Sequence, residues 1–370
     1  MIEPLFTYLF YSFIGLALIQ LLFYWLIFGQ LAFRKRKSCP NLEPVSVVIC
    51  ARNEYENLKE NLPLFLAQDY PDYEIVVVND ASDDETYYFL KNLATQHKHL
   101  KVVNMGETPN FFKGKKFPLS IGIKSAKHDL LLLTDADCVP AEPTWIMNMA
   151  SGYCKKVEVV LGYGGYEVKP GLLNKLIRFD TLHIAMQYLG LAIAGMPYMG
   201  VGRNLSYRKS LFYKNKGFIS HYSIPSGDDD LFINQVSSRK NTAVVATPEG
   251  ITLSEPKSSF GEWFKQKRRH LTTGSLYKPQ HKFILGTYSL SQLLYFVTGI
   301  ILLSWLFQWE IVAGIMVFRL ITQIIIVKKC MKRLGEKNLL LFSPVFEIIM
   351  MIINPMIALS NLIVKQKTWR

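Results

Sequence analysis

Hydrophobic positions along this chain fall into two regimes. At both ends they run on almost without interruption, while in the middle they come in short bursts between polar stretches. From Leu5 to Phe33 there is no charged residue, which is long enough for a membrane-spanning helix at roughly 20 residues per crossing. Phe283 to Trp309 is a second uncharged run. Ile311 to Val327 is a third, interrupted only by Arg319, and Asn338 to Val364 is a fourth, carrying Glu347 and broken by Pro344 and Asn354-Pro355. The first run has too long an apolar core for a signal peptide, lacks a basic start, and is not followed by a small-residue cleavage site. It is expected to stay as an anchor.

Charge orients these segments. Arg34-Lys35-Arg36-Lys37 follows the first run, and Lys328, Lys329, Lys332 and Arg333 follow the third. Positive flanks belong on the cytoplasmic side. That puts the N-terminus outside and residues 34 to about 282 in the cytosol, with the second and third runs as a hairpin. A full crossing by the fourth run would leave Lys365, Lys367 and Arg370 outside. A re-entrant or interface-lying element broken at Asn354-Pro355 is therefore expected there. The resulting organisation is an anchor over 1–37, a cytosolic domain over 38–282 and a membrane region over 283–370.

The middle reads as alternating α/β structure. VSVVIC (Val45–Cys50), EIVVVND (Glu74–Asp80), LKVVNM (Leu100–Met105) and DLLLLTDAD (Asp129–Asp137) are of strand length. Helical patterns lie between them over Glu54–Ala67, Thr86–Ala94 and Pro118–Ala126. Strands apolar on both faces and alternating with helices predict a mostly parallel sheet covered on two sides. In such sheets ligands bind beyond the carboxyl ends of the strands. Three strand ends there are polar: Ala51-Arg52-Asn53-Glu54, Asn79-Asp80-Ala81-Ser82-Asp83-Asp84 and Asp135-Ala136-Asp137. Ser82 to Asp84 are the better bet as helix caps; Asp80, at the strand end itself, is equally a candidate for the crevice.

Two carboxylates at i and i+2, leaving a buried strand, repel each other and need a counter-charge. A divalent cation, Mg²⁺ or Mn²⁺, suits hard oxygen ligands, and with few protein ligands it would share substrate phosphates. The chain has no phosphate-binding GxxxxGK[ST] loop and no GxGxxG after a strand; LGYGGYEV (Leu161–Val168) has the glycines without the register. Net charge of +13 with pI near 9.3 invites a nucleic-acid reading. Much of the excess flanks the apolar runs, however, where anionic headgroups explain it, and no nucleic-acid-binding motif accompanies it. Mean hydropathy of +0.15 fits a membrane protein. The five cysteines, Cys39, Cys50, Cys138, Cys154 and Cys330, contain no CxxC. They are expected to form neither a disulfide framework nor a metal site, as suits a reducing cytosolic face.

Together these segments resemble the family 2 glycosyltransferases, inverting GT-A enzymes that use nucleotide-sugar donors. More closely, they are similar to its membrane-anchored branch of polysaccharide synthases and glycolipid-forming enzymes, over roughly 45–275. VSVVICARNEYENL resembles the family's first strand and Asn-Glu turn, bringing Ala51, Asn53 and Glu54 to the donor. YEIVVVNDASDDET resembles its second strand, with Asp80 as the nucleotide-binding aspartate. GKKFPLSIGIKSAKHDLLLLTDADCVP resembles its Gly-Lys, helix and DxD block, giving Gly114, Lys115 and the metal pair Asp135 and Asp137.

Two later motifs carry chemistry under this resemblance. PSGDDDLFINQ (Pro225–Gln235) is similar to the segment whose aspartate is the general base, here Asp228 or Asp229 according to register. FGEWFKQKRRH (Phe260–His270) resembles Gln-x-x-Arg-Trp, with Gln266 and Arg269 toward the donor phosphates and His270 where Trp is usual. That replacement counts against a processive polysaccharide synthase, as does the small number of apolar segments. Lys265, Lys267 and Arg268 fit a basic face on the membrane. MPYMGVGRNLSYRKS (Met196–Ser210) fits the loop beside the acceptor, with Gly200, Gly202, Arg203 and Asn204 as candidates. The preceding Leu172–Gly195 is apolar but carries Lys175, Arg178, Asp180 and His183, as an interface-hugging helix would.

The resemblance thus implies a membrane-anchored transferase of the bacterial inner membrane, multi-pass, with its catalytic domain cytosolic. It would move a sugar from a nucleotide-sugar donor to a lipid-linked or glycan acceptor, with a divalent metal and no nucleic-acid partner. A non-catalytic membrane scaffold with a decayed transferase domain is the alternative of another class. Retention of DxD, the Asp triplet and Gln-x-x-Arg argues against it.

Overall fold

The computed structural model describes residues 2–33, 35, 39, 42–106, 114–224 and 226–363. The basic residues Arg34, Arg36, Lys37, Lys365, Lys367 and Arg370, together with Pro225, lie outside them. The chain opens with α1 (Ile2–Leu22), which runs through a π-helical stretch, Phe23–Phe28, into α2 (Gly29–Phe33). The alternating region follows as β1 (Val45–Ala51), α3 (Tyr55–Leu66), β2 (Tyr73–Asp80), α4 (Thr86–Gln96), β3 (Leu100–Met105), α5 (Lys116–Ser125) and β4 (Leu130–Asp135). Each expected strand and helix is present.

After β4 come β5 (Cys138–Pro140), α6 (Trp145–Ala150), β6 (Val159–Leu161), β7 (Gly164–Tyr166), α7 (Leu172–Ile193), β8 (Leu205–Arg208) and α8 (Lys209–Lys214). Then follow α9 (Asp230–Val236), β9 (Thr242–Val244), β10 (Thr252–Ser254) and α10 (Phe260–His270). A seven-stranded sheet has the order β3-β2-β1-β4-β8-β6-β9, and β5-β10-β7 form a smaller one. The β3, β2, β1 and β4 strands are parallel neighbours, whereas β8 runs antiparallel to both β4 and β6. Register places Ala51 beside Asn79 and Cys50 beside Asp135, so three polar strand ends share one edge. Helix α5 lies close on the sheet because Gly122 has no Cβ; one there would come within 2.7 Å of Val48 and 2.9 Å of Val78.

Three long helices close the described chain: α11 (Pro279–Ser304), α12 (Trp309–Arg333) and α13 (Ser343–Ile363). With the N-terminal helix they make four that are long and apolar enough to cross a membrane. The fourth departs from expectation, since α13 continues through Asn354-Pro355 unbroken. A proline costs a helix one backbone hydrogen bond, and packed neighbours can absorb that loss. These helices converge on one buried charge pair. Arg319 donates to both oxygens of Glu347 at 2.6 Å and to Gln20 and Gln323, while Tyr24 and Gln292 also donate to Glu347.

Helix α7 also departs from expectation. It is packed from several sides, with Arg178, Asp180 and eleven uncharged residues buried, rather than lying on a bilayer surface. It leans on the N-terminal helix and α13 on one side and the sheets on the other. Its Gly190 sits against the Ile27 carbonyl, where a Cβ would come within 2.7 Å. One apolar core therefore runs from the sheet through α7 into the long helices.

Candidate active site

The turns after β1 and β2 are stitched together at the sheet edge. Asn53, at φ 57°, donates its N–H to Ser82 Oγ and accepts from the Asp83 N–H. Asp84 accepts from the N–H groups of Tyr55 and Thr86, tying down the starts of both α3 and α4; of the expected caps Ser82 to Asp84 it alone bonds a helix start, while Ser82 and Asp83 bond Asn53. Asp80 stands at the end of β2 with Arg52 3.9 Å away. Ala51 is buried in β1, so it offers backbone rather than side chain. Glu54 accepts from Asn57, and burial, with Asp137 and Asp135 nearby, pushes its carboxyl up.

The DxD pair follows β4. Burial alone would raise Asp135, but Lys115, ion-paired to it, outweighs burial and holds the carboxyl low. Asp137 is pushed up, first by burial and then by Asp135. Two neighbouring carboxylates in mutual repulsion, only one of them paired to Lys115, fit a divalent ion. The Cys138 sulfur lies within 4.8 Å of their oxygens but is buried against Ser254 Oγ at 3.0 Å. A soft, protonated thiol is a poor partner for Mg²⁺ or Mn²⁺, so the oxygens are the donor set.

The Asp triplet begins α9, and its three members face different ways. Asp230 is buried and accepts from Thr273 and from Tyr277 at 2.7 Å, which makes it part of the frame. Asp228 is buried on the side of Lys115. Asp229 caps α9 by accepting from the Asp230 N–H, and its other oxygen accepts from the Gly202 N–H at 2.7 Å. Burial, then Asp228 and Asp230, raise its carboxyl well above the usual range. The loop before it is held by Lys116, whose Nζ donates to the carbonyls of His221, Ile224 and Ser226 at 2.6–2.8 Å. Sequence reading missed Lys116; its only signal was a second lysine after Gly114.

These parts meet at a cavity of about 590 Å³. Asp135, Asp137, Gly202, Asp229, Arg203, Gln266, Arg269 and His270 all line it. Arg203 sits over the Tyr166 ring at 4.3 Å and donates to the Gly165 carbonyl at 3.0 Å. It thus stands with the DxD carboxylates, not apart from them. The DxD pair, Asp229 and Asp230 of the triplet, and Gln266 and Arg269 thus share one cavity, whose lining does not include Asn53, Glu54, Asp80, Lys115 or Asp228, and the family 2 glycosyl transferase model matches residues 46–215.

The chain carries a glycosyltransferase family 2 domain. It is similar to an uncharacterised glycosyltransferase of Haemophilus influenzae, 24% identical over 54% of this chain and 61% of the relative. It is also similar to the probable glycosyltransferase YdaM of Bacillus subtilis, 26% identical over 63% of this chain and 56% of the relative. The matches therefore span less than two thirds of either relative. A solved mannosyltransferase of Pyrobaculum calidifontis, in complex with GDP-Man and Mn²⁺, shares the fold. It aligns with a TM-score of 0.58 at 17% identity, covering 91% of this chain and all of that one.

Several candidates on this domain do not sit where expected. Asn204 is fully buried and away from the cavity walls. Its amide donates to the Tyr163 and Gly250 carbonyls and accepts from Trp145, so it braces the core beneath the Met196–Ser210 segment. Lys267 is not on a membrane face but buried in an ion pair with Asp180. Arg268 is tied to Asn361 of α13 at 3.1 Å, and Asn361 donates back to the Arg268 carbonyl. Lys265 is exposed. Cys39 and Cys154 are joined in a disulfide, their Cα atoms 5.5 Å apart. That corrects the expectation of no disulfide: the Cys39 N–H bonds the Ser151 carbonyl, bringing together two cysteines 115 residues apart.

Proposed function

We propose that this chain is an inverting glycosyltransferase that moves a sugar from a nucleotide-sugar donor to a lipid-linked or glycan acceptor at the cytosolic face of the bacterial inner membrane. The observation that carries the reading is the shared cavity, lined by the DxD carboxylates, Arg203, Arg269 and Asp229. Asp135 and Asp137 would hold Mg²⁺ or Mn²⁺, which when bound offsets charge on the departing diphosphate. Arg269 and Arg203 add fixed positive charge to the same end. Ala51, Asn53, Glu54, Asp80 and Lys115 form the sheet-edge floor for the nucleotide.

Asp229 takes the proton of the acceptor hydroxyl. The acceptor oxygen bonds to the anomeric carbon as that carbon's bond to the phosphate oxygen breaks, and the electron pair leaves with the nucleoside diphosphate. A base needs a value near working pH, and the upward push on Asp229 moves it that way. Gly202 fixes the base's orientation, and Asp228 remains as counter-charge to Lys115.

The test is a screen of nucleotide-sugars for nucleoside diphosphate release by the purified full chain with Mg²⁺, Mn²⁺ or EDTA. Metal-dependent release with one donor class supports the reading. Release that ignores EDTA and survives Asp137→Asn removes the metal role, and no release with any donor removes the function.

A further inference from the structure

The cavity does not end at the catalytic groups. It also takes in Tyr198, Trp263, Leu271 and residues of both α7 and α11, and the gap those two helices border is its candidate mouth. Thr181, Ile184 and Gln187 supply one wall at helical spacing; Lys282, Leu285, Gly286 and Ser289 supply the other. Such spacing puts each set on one face of its helix. The two helices are linked where the Tyr288 hydroxyl of α11 meets His183 Nε2 of α7 at 3.0 Å; otherwise α7 leans on the π-helical stretch and α11 on α1.

The depth of this mouth selects its ligand. Ser289 lies ten residues into α11 from Pro279, or about 15 Å of helix rise, and α11 is one of the four candidate spans. At that level the outward positions Phe283 and Leu290 are 75% and 57% exposed, as residues facing acyl chains would be. A water-soluble glycan has no need of an opening at that level. A molecule with a hydroxyl-bearing headgroup and an apolar tail would set the headgroup by Asp229 and leave its tail between the helices. Gly286 widens the gap, since a Cβ there would meet no atom within 4 Å.

We infer that the acceptor is a membrane lipid that enters sideways between α7 and α11, its tail passing Ile184, Leu285 and Gly286. The inference rests on the glycosyltransferase reading and narrows its acceptor to the lipid class. Lys282, on the same face, meets polar or anionic headgroups at the rim.

The experiment uses the full chain in nanodiscs of phosphatidylethanolamine and phosphatidylglycerol, with a diacylglycerol carrying a diazirine in its acyl tail. Labelling is expected at Ile184 and Leu285, falling at least fivefold in Gly286→Trp. Gly314→Trp, at another open glycine on α12, is expected to label like wild type, and matched melting temperatures show that both variants fold. In parallel, radiolabelled donor is offered with the organic-soluble or the aqueous fraction of source membranes. Product is expected in the organic fraction only, reduced tenfold or more by Gly286→Trp.

Labelling confined to outward residues such as Phe283 and Leu290 overturns the inference. So does product from the aqueous fraction alone, absence of product from both fractions, or undiminished lipid product in Gly286→Trp. Nucleotide release by wild type without acceptor is measured separately. Its absence with every donor counts against the glycosyltransferase reading, while the labelling pattern still decides the mouth.

Discussion

Replacing Asp229 by asparagine should abolish transfer and stabilise the protein at once. A general base contributes roughly 10²–10⁴ in rate, or about 3–5 kcal/mol at ~1.4 kcal/mol per tenfold, so kcat should fall by that factor. The stability gain comes from the same carboxylate. Burial and its neighbours Asp228 and Asp230 raise it in the folded chain, so between the ordinary carboxylate value and the raised one the folded state holds more protons than the unfolded. Stability therefore falls as pH rises through that window and stays reduced above it, by ~1.4 kcal/mol for each pKa unit of the shift. Asparagine removes that charge but has one acceptor oxygen, so it keeps either the Gly202 or the Asp230 N–H and loses the other, a cost of about 1–3 kcal/mol that the removed charge has to exceed. Wild-type activity should rise with pH along a limb displaced above the ordinary carboxylate range, because only the ionised base accepts a proton. Nucleoside diphosphate release against pH, with thermal melts in detergent at neutral pH, reads both effects. Asp230→Ala is the control. It removes the one oxygen that accepts from both Thr273 and Tyr277 and should lower the melting temperature. The reasoning is refuted if Asp229→Asn keeps more than a tenth of wild-type rate while Asp228→Asn does not, or if Asp229→Asn melts lower than wild type.

Asp137→Asn should cost at least tenfold in release and flatten its dependence on Mn²⁺ concentration, measured by titration against EDTA-treated enzyme. Lys116→Met strands three carbonyls that now accept from one ammonium. With hydrogen bonds to charged groups worth ~1.5–3 kcal/mol each, it should lower the melting temperature by several degrees and loosen the Asp229 loop, read as faster proteolysis there. Glu347→Leu leaves Arg319 buried without its main partner and should cost ~3–5 kcal/mol, whereas the double change with Arg319→Leu should cost less. Cys39 and Cys154 test orientation by alkylation at cell lysis before any oxidation. A cytosolic catalytic domain predicts both as thiols that pair on isolation, and a disulfide trapped in the cell places the domain on an oxidising side.

The sheet was legible because its evidence is local. Val45–Cys50, Glu74–Asp80 and Leu100–Met105 are continuous apolar or β-branched runs bounded by polar turns, and the observed strands start and end within one residue of them. Beyond β4 the strands β5, β6, β7, β9 and β10 are three residues each, too short to establish a period of two against chance. The motifs mattered more than the elements there. Gln266, Arg269 and His270 are reached only through the resemblance of FGEWFKQKRRH to the family's Gln-x-x-Arg-Trp, and nothing in that motif reveals that α10 is pinned at Arg268 to α13.

What stayed hidden in the sequence is pairwise and distant. A lysine or arginine near an apolar run reads as a membrane flank unless its partner is known. Lys267 finds Asp180 87 residues away, Arg178 finds Glu336 158 residues away and Arg319 finds Glu347. Each pair is buried on both sides. An unpaired charge in those places would cost several kcal/mol, so each pair ties two segments to one relative position. Asp180 and Lys267 both line the cavity and join α7 to α10, the helix that carries Arg269. The relative position of these two cavity walls is therefore set by a bridge that neither segment's sequence discloses.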